Sequence, residues 1–455
     1  MQSELTRTKG DEIMKMIRTA LIVCLLVGIG ICLSTQAIAE DLVTNYSGEF
    51  WARSTLTGDW GGIRNDLTKK GITFDISLTQ IGMGIIGGGK DTGWEYGGRG
   101  NLTLNVDTQK LGLWPGGFLT VEVEGSFGND VNFDTGALMP VNSNQFFPMP
   151  GSNELDIPAL TFTQFFSEYA GVFAGKMDTT SGDANEFAHG KGDKQFFNLA
   201  LNFNPVAILA APYSTLGAGV MVLPTKDLNS AIISVMAISS DGEANSFSFD
   251  TLFKGNMTYG VNGRVRTDFF GLTGHQFVGA MYSTKNFASL DQNLRFIIEN
   301  RTIKEKDSSW CFFYNFDQYI YEPKKGSDQG IGVFGRFGAS DGNPNPIHYF
   351  YSIGIGSKGI VRGRPLDTFG LGYYFIDVRN PKFIGPLETR EFLRDEYGVE
   401  AYYNIGITTW MKLTPDIQVV RPAQKKKILG QDILTASIKD VDTATVIGIR
   451  LQLIF

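Results

Sequence analysis

The residues able to do acid–base or nucleophilic chemistry are few and scattered. Only three histidines occur: His189, His275 and His348. A Ser–His hydrolase needs an imidazole held beside a hydroxyl nucleophile. His275 is followed by Gln276 and Phe277, which supply none; His189 lies in a Gly-rich stretch and His348 beside prolines. A hydrolase of that kind, such as a phospholipase, is therefore disfavoured. The acids of "DTTSGDANEFAHG" put Asp178, Asp183 and Glu186 close together and invite a calcium reading. Their spacing lacks the fixed twelve-residue ligand pattern of an EF-hand loop. No cofactor or metal site is expected.

A different chemistry suits the remaining polar residues. Carboxylates and amides accept hydrogen bonds, and Arg and Lys donate them. Charged residues alternate with apolar ones at a period of two, which places them on one face of a strand. By this parity Asp75, Glu122, Glu124, Arg264, Arg266, Arg336, Glu400, Lys412 and Arg450 share the polar faces of their strands. The mixture of signs fits neutral solutes better than strict anion or cation selectivity.

The elements that must position these residues are strands. Of 455 residues, 19% are charged, 12% are aromatic and 55 are glycines. That composition suits a β-rich chain with many turns. Strands are expected near 72–85, 98–107, 117–127, 159–167, 169–177, 214–223, 229–239, 256–267, 275–284, 308–321, 329–338, 349–358, 367–378, 396–407, 410–420 and 443–455, sixteen in all. Most have about ten residues, the length of a tilted membrane-crossing strand. Helical periodicity is confined to 60–70, where Asp59 is a possible N-cap and Gly71 a left-handed C-cap. The stretch 285–307 reads as a strand or a long loop.

The first 39 residues read as a secretory signal peptide. Lys15 and Arg18 precede an apolar run from Leu21 to Leu33, and Ala37 and Ala39 occupy the small-residue positions before cleavage after Ala39. The polar segment ahead of Lys15 suggests a start at Met14 or Met16. Cys32 follows Ile31, a poor lipoprotein context. Residues 40–455 carry no linker or composition shift and read as one domain. Cys24 and Cys32 fall in the signal, which leaves Cys311 with no intrachain partner. The net charge of −7 argues against nucleic acid. No later run of 18 apolar residues marks a helical span, but barrels hide their apolar face in alternation.

Alternation alone fits both a soluble sandwich and a transmembrane barrel. The chain's end separates them. In "TATVIGIRLQLIF", Ile447, Ile449, Leu451, Leu453 and Phe455 point one way, while Arg450 and Gln452 point the other. A soluble terminus frays into water and rarely ends so. Bacterial outer-membrane barrels end like this, and the terminal Phe is what their assembly machinery reads. The six tryptophans, Trp51, Trp60, Trp94, Trp114, Trp310 and Trp410, fall mostly near strand ends, as interfacial girdles do.

Several blocks together resemble one family, the OprB-type carbohydrate-selective porins. They are "LTGDWGGIRNDLTKKGITFD" (56–75), "FAGKMDTTSGDANEFAHG" (173–190), "GVFGRFGASDG" (332–342), "GRPLDTFGLGYY" (363–374) and "LTPDIQVVRP" (413–422), closed by "GIRLQLIF". The resemblance implies an all-β protein: a sixteen-stranded antiparallel transmembrane β-barrel with a short N-terminal helix, short periplasmic turns and longer outer loops. It implies passive diffusion of small sugars across the bacterial outer membrane, with outer-membrane lipid around the barrel and the assembly machinery engaging Phe455. A non-selective general diffusion porin is the alternative. Monomer and trimer both remain open. The helix is expected to seal the periplasmic end, and segment 132–158 to fold into the pore as its constriction.

Overall fold

The computed structural model describes residues 46–147, 155–246, 248–249, 255–293, 303–384, 393–429 and 437–455; the signal-peptide reading and part of 285–307 lie outside them. Sixteen strands close into a barrel in which each pairs antiparallel with its neighbours in sequence. They are β1 Ile72–Gly89, β2 Gly93–Asp107, β3 Gly117–Gly128, β4 Leu155–Ser167, β5 Ala170–Asp178, β6 Ser214–Val222, β7 Ala231–Ser239 and β8 Met257–Thr267. The second half comprises β9 Gly274–Ser283, β10 Ser309–Tyr321, β11 Gly330–Ser340, β12 Ile347–Lys358, β13 Thr368–Val378, β14 Glu396–Gly406, β15 Met411–Arg421 and β16 Asp442–Ile454. Every expected strand is present, displaced by a few residues at its ends. Pairing of β1 with β16, with Gln80 opposite Leu451, seals the seam, so the barrel presents no open edge.

The outward face is apolar. Val220, Val235, Val261, Ile353, Leu371, Val399, Ile417 and Ile449 are exposed along it, as strands that face lipid require. Trp94, Trp114 and Trp310 are exposed as well, whereas Trp410 is buried and stacks against Trp51.

The N-terminal segment lies across the seam. Its helix, α1 Ile63–Lys69, begins later than the sequence suggests. Trp60, Gly61 and Gly62 all take positive φ, so the chain turns sharply before it winds. Asp59 caps that turn instead, its carboxylate accepting from the Gly61 amide and its carbonyl from the Arg64 amide. Gly71 closes the helix with φ 80°, the left-handed stop that a residue with a Cβ resists.

Arg64 explains why this segment is there. Its guanidinium is buried, donates to the Phe455 carbonyl at 2.8 Å and the Phe74 carbonyl at 2.6 Å, and lies over the Tyr46 ring. The Leu56 amide bonds the Ile454 carbonyl at 2.7 Å. The first and last strands are thus stapled from the end that carries both.

Candidate functional site

The lumen is not an empty tube. Two long connections at the opposite end from α1 turn inward: 129–147, between β3 and β4, and 179–213, between β5 and β6. Phe187, Phe196, Leu199, Leu201 and Val206 of the second pack against inward residues of the wall, including Phe277, Phe313, Phe334, Phe350 and Tyr374. Val131 and Val141 of the first pack with Ile81, Met83 and Ile85 of β1. A second apolar core therefore sits inside the barrel. Residues 132–147 of the expected segment 132–158 do contribute, while its end belongs to β4, and the second inward loop was not expected.

The wall is shaped to receive these loops. A Cβ on Gly332 would lie 2.1 Å from the Phe187 ring, and one on Gly356 2.5 Å from Phe187 Cβ. Glycine is needed at both because an aromatic ring occupies the side-chain space.

Polar residues of the wall bind the loops by their backbones. Arg336 donates to the carbonyls of Ala188, Leu201 and Asn202 at 2.6, 2.9 and 3.2 Å, and to the Asp183 carboxylate at 2.9 Å. Arg450 donates to the Gly192 and Gln195 carbonyls at 2.6 and 3.0 Å. Glu400 accepts from the Phe197 and Asn198 amides. Glu396, four residues away on the same face, accepts from the Leu138 and Met139 amides of the other loop. Arg99 reaches the Phe147 carbonyl at 3.2 Å and the Asp193 carboxylate at 2.9 Å. Each charge is hydrogen-bonded to several groups, the condition under which buried ions are tolerated.

This placement redistributes the residues chosen by parity. Glu124, Arg336, Glu400 and Arg450 do face inward, but they are only 4%, 2%, 1% and 1% exposed. Arg336, Glu400 and Arg450 tether the second loop by its backbone, and Glu124 binds that loop's Lys191 and Tyr213. Asp75, Glu122, Arg264, Arg266 and Lys412 also face inward and retain exposure. Arg266 sits at the foot of β8 near Asp268. The nine residues do not converge on one point. Arg99, Glu396 and the loop residues Lys191 and Lys194 were missed, because nothing in a strand's period reveals a loop lying against it.

The ridge of the second loop carries its own ion pairs. Lys191 bonds Glu124 at 2.8 Å and Asp178 at 2.6 Å, and Tyr213 donates to the other Glu124 oxygen. Glu186 pairs with Lys358. Burial alone would raise the Glu186 carboxyl, yet that ammonium holds it below the usual range. The three acids of the calcium reading are thereby divided among Lys191, Arg336 and Lys358, and no cluster of metal-ligating side chains occurs among the described residues. His189, in the same loop, is pushed down to about 4 by burial. His275 bonds Asp317 at 2.7 Å and His348 bonds Asp377 at 3.0 Å.

Between the loops and the wall formed by β4 and β6 lies a cavity of about 490 Å³, lined by Phe147, Phe203 and Tyr213 with Thr179, Thr180 and Ser214. The Phe147 and Tyr213 rings stack at 4.4 Å.

The molecule is thus a closed barrel narrowed by two inward loops, and its sequence and shape have relatives. It is similar to the putative porin QuiX of Acinetobacter baylyi, at 24% identity over 90% of this chain and 95% of that one. It is similar to Porin B of Pseudomonas aeruginosa, at 23% identity over 33% of this chain and 34% of the other. The fold matches a high-pH structure of Pseudomonas putida OprB with a TM-score of 0.72 at 19% identity, covering 90% of this chain and all of that one. The family model for the carbohydrate-selective porins of the OprB family matches residues 91–455, and the chain belongs to that family of bacterial outer-membrane channels.

Proposed function

We propose that this chain lets small sugars diffuse passively across the outer membrane, through the gap that the two inward loops leave in the barrel. The observation that carries the reading is the family match over nearly the whole barrel. The partly exposed inward residues Asp75, Glu122, Arg264, Arg266 and Lys412, with Lys191 and Lys194 of the second loop, are the groups available to exchange hydrogen bonds with a solute. Glu124, Arg336, Glu400 and Arg450 act one step back, by fixing the loop that sets the aperture. Binding must remain weak for a solute to leave. A channel rather than an enzyme is the reading supported by His275 and His348, which engage carboxylates instead of hydroxyl nucleophiles.

The whole path lies within one chain, so a monomer suffices as a pore whether or not barrels associate. Cleavage after Ala39 would leave a short lead before Tyr46. Recognition of Phe455 by the assembly machinery would precede its capture by Arg64. Liposome swelling tests the function: glucose should enter proteoliposomes faster than a non-sugar solute of similar size. Equal rates would make this a general diffusion porin.

A further inference from the structure

On one stretch of the lumen wall two lysines stand without an acidic partner. Consider the wall formed by β12 to β16. Lys412 and Arg450 both face inward: Lys412 lies opposite Gln452, and Arg450 opposite Thr414, two residues along the same strand pair. The loop segment 192–195 is laid directly on this wall. Arg450 holds the carbonyls of Gly192 and Gln195, and Asn404 of β14 donates to the Lys194 carbonyl at 3.2 Å. These bonds fix the backbone on both sides of Lys194 and set its exposed side chain beside Lys412. Lys358, in register with Thr368 and through it with Asn404, completes the group. The charged neighbours of the Lys412 ammonium are Lys194, Lys358 and Arg450, all cations.

Most acids of this wall are already engaged. Glu186 serves Lys358. Glu400 serves two loop amides, and Asp416, a neighbour of Arg450, accepts from Gln418 through one oxygen and leaves the other without a partner. Asp193 serves Arg99, Asn101 and Asn144. Among the described residues no carboxylate pairs with Lys194 or Lys412. Lys194 and Lys412, with no carboxylate of their own, repel one another, and an anion arriving from solution relieves that repulsion. Beside them the buried Gln452 and Asn404 each keep an amide oxygen with no partner.

Building on the sugar-channel reading, we infer that the cargo favoured by this pore is an acidic sugar, a polyhydroxylated carboxylate, whose carboxylate docks between Lys194 and Lys412. The lysine pair then selects by charge among the sugars that the channel admits.

The test uses the purified full-length protein in a planar bilayer, with gluconate and glucose as probes. Under a salt gradient the zero-current potential should show anion preference. Gluconate should half-block the current at a concentration about tenfold below glucose, the step expected when a charge-assisted contact is added to neutral ones. The double substitution Lys194→Gln with Lys412→Gln should close that gap, weakening gluconate block far more than glucose block. Lys194→Glu alone, on an exposed loop side chain, should invert the preference; heat-modifiable migration confirms that each variant is folded. Cation preference in the unaltered channel, or equal half-block by both probes, overturns the inference and leaves the sugar channel standing. Absence of block by either probe overturns both.

Discussion

Replacing Arg336 with Met separates the loop's anchorage from the barrel's integrity. The side chain keeps comparable volume but loses five hydrogen bonds, and it leaves Asp183 without its cation. Asp183 would still accept from the Asn204 amide at 2.7 Å, so its charge is not wholly abandoned. Removing one partner of a buried ion pair costs about 3–5 kcal/mol. At about 1.4 kcal/mol per decade, the detached state of loop 179–213 should gain roughly two to nearly four orders of magnitude in population. The strand ladder of β11 is untouched, so the barrel should still migrate as a heat-modifiable species. Single-channel recordings should show larger, noisier conductance, and limited proteolysis should cut within 179–213. Arg336→Lys should fall between, because an ammonium can meet Asp183 but cannot span the carbonyls of Ala188, Leu201 and Asn202. Unaltered conductance, noise and protease resistance in Arg336→Met would refute the tether.

Other consequences follow from the same contacts. Arg64→Ala removes the bonds to Phe74 and Phe455 and should lower thermal stability by about 3 kcal/mol, taking roughly 1.5 for each bond to a charged donor; heat-modifiability midpoints would show it, with pore conductance unchanged. Gly332→Leu fills the space of the Phe187 ring and should expel that ring, mimicking Arg336→Met in noise while the barrel persists. His189 is neutral in the folded loop and titrates at about 4, below its ordinary 6.5. The unfolded loop therefore binds the proton first: the loop's hold is full above about pH 6.5 and is lost progressively as pH falls toward 4. Channel noise should rise over that window, and His189→Gln should flatten the response.

The strands were legible because a barrel wall writes its two environments into every second residue. The last strand was legible too, since 447–455 alternates apolar and polar residues up to Phe455, but its pairing with the first strand was not. Local pattern could not reveal what lies inside the wall. Ile81, Met83, Ile85, Phe313 and Phe334 are apolar yet point inward, because loops from distant sequence make a second core there. Parity placed Arg336, Glu400 and Arg450 on the inner face, but parity cannot tell a side chain that meets solute from one that grips a loop some 135 to 260 residues away. The family blocks turn out to mate with each other. Gly332 and Arg336 of one receive Phe187 and Asp183 of another, and Arg64 of the first meets Phe455 of the last. Their spacing in sequence gave no hint of this pairing.

Single-channel conductance across a planar bilayer, with glucose, maltodextrin and a non-sugar solute of similar size titrated in turn, tests the central claim most directly. An open channel with saturable block by the sugars alone is the expected result. Conductance that ignores sugars, or no conductance at all, would contradict it.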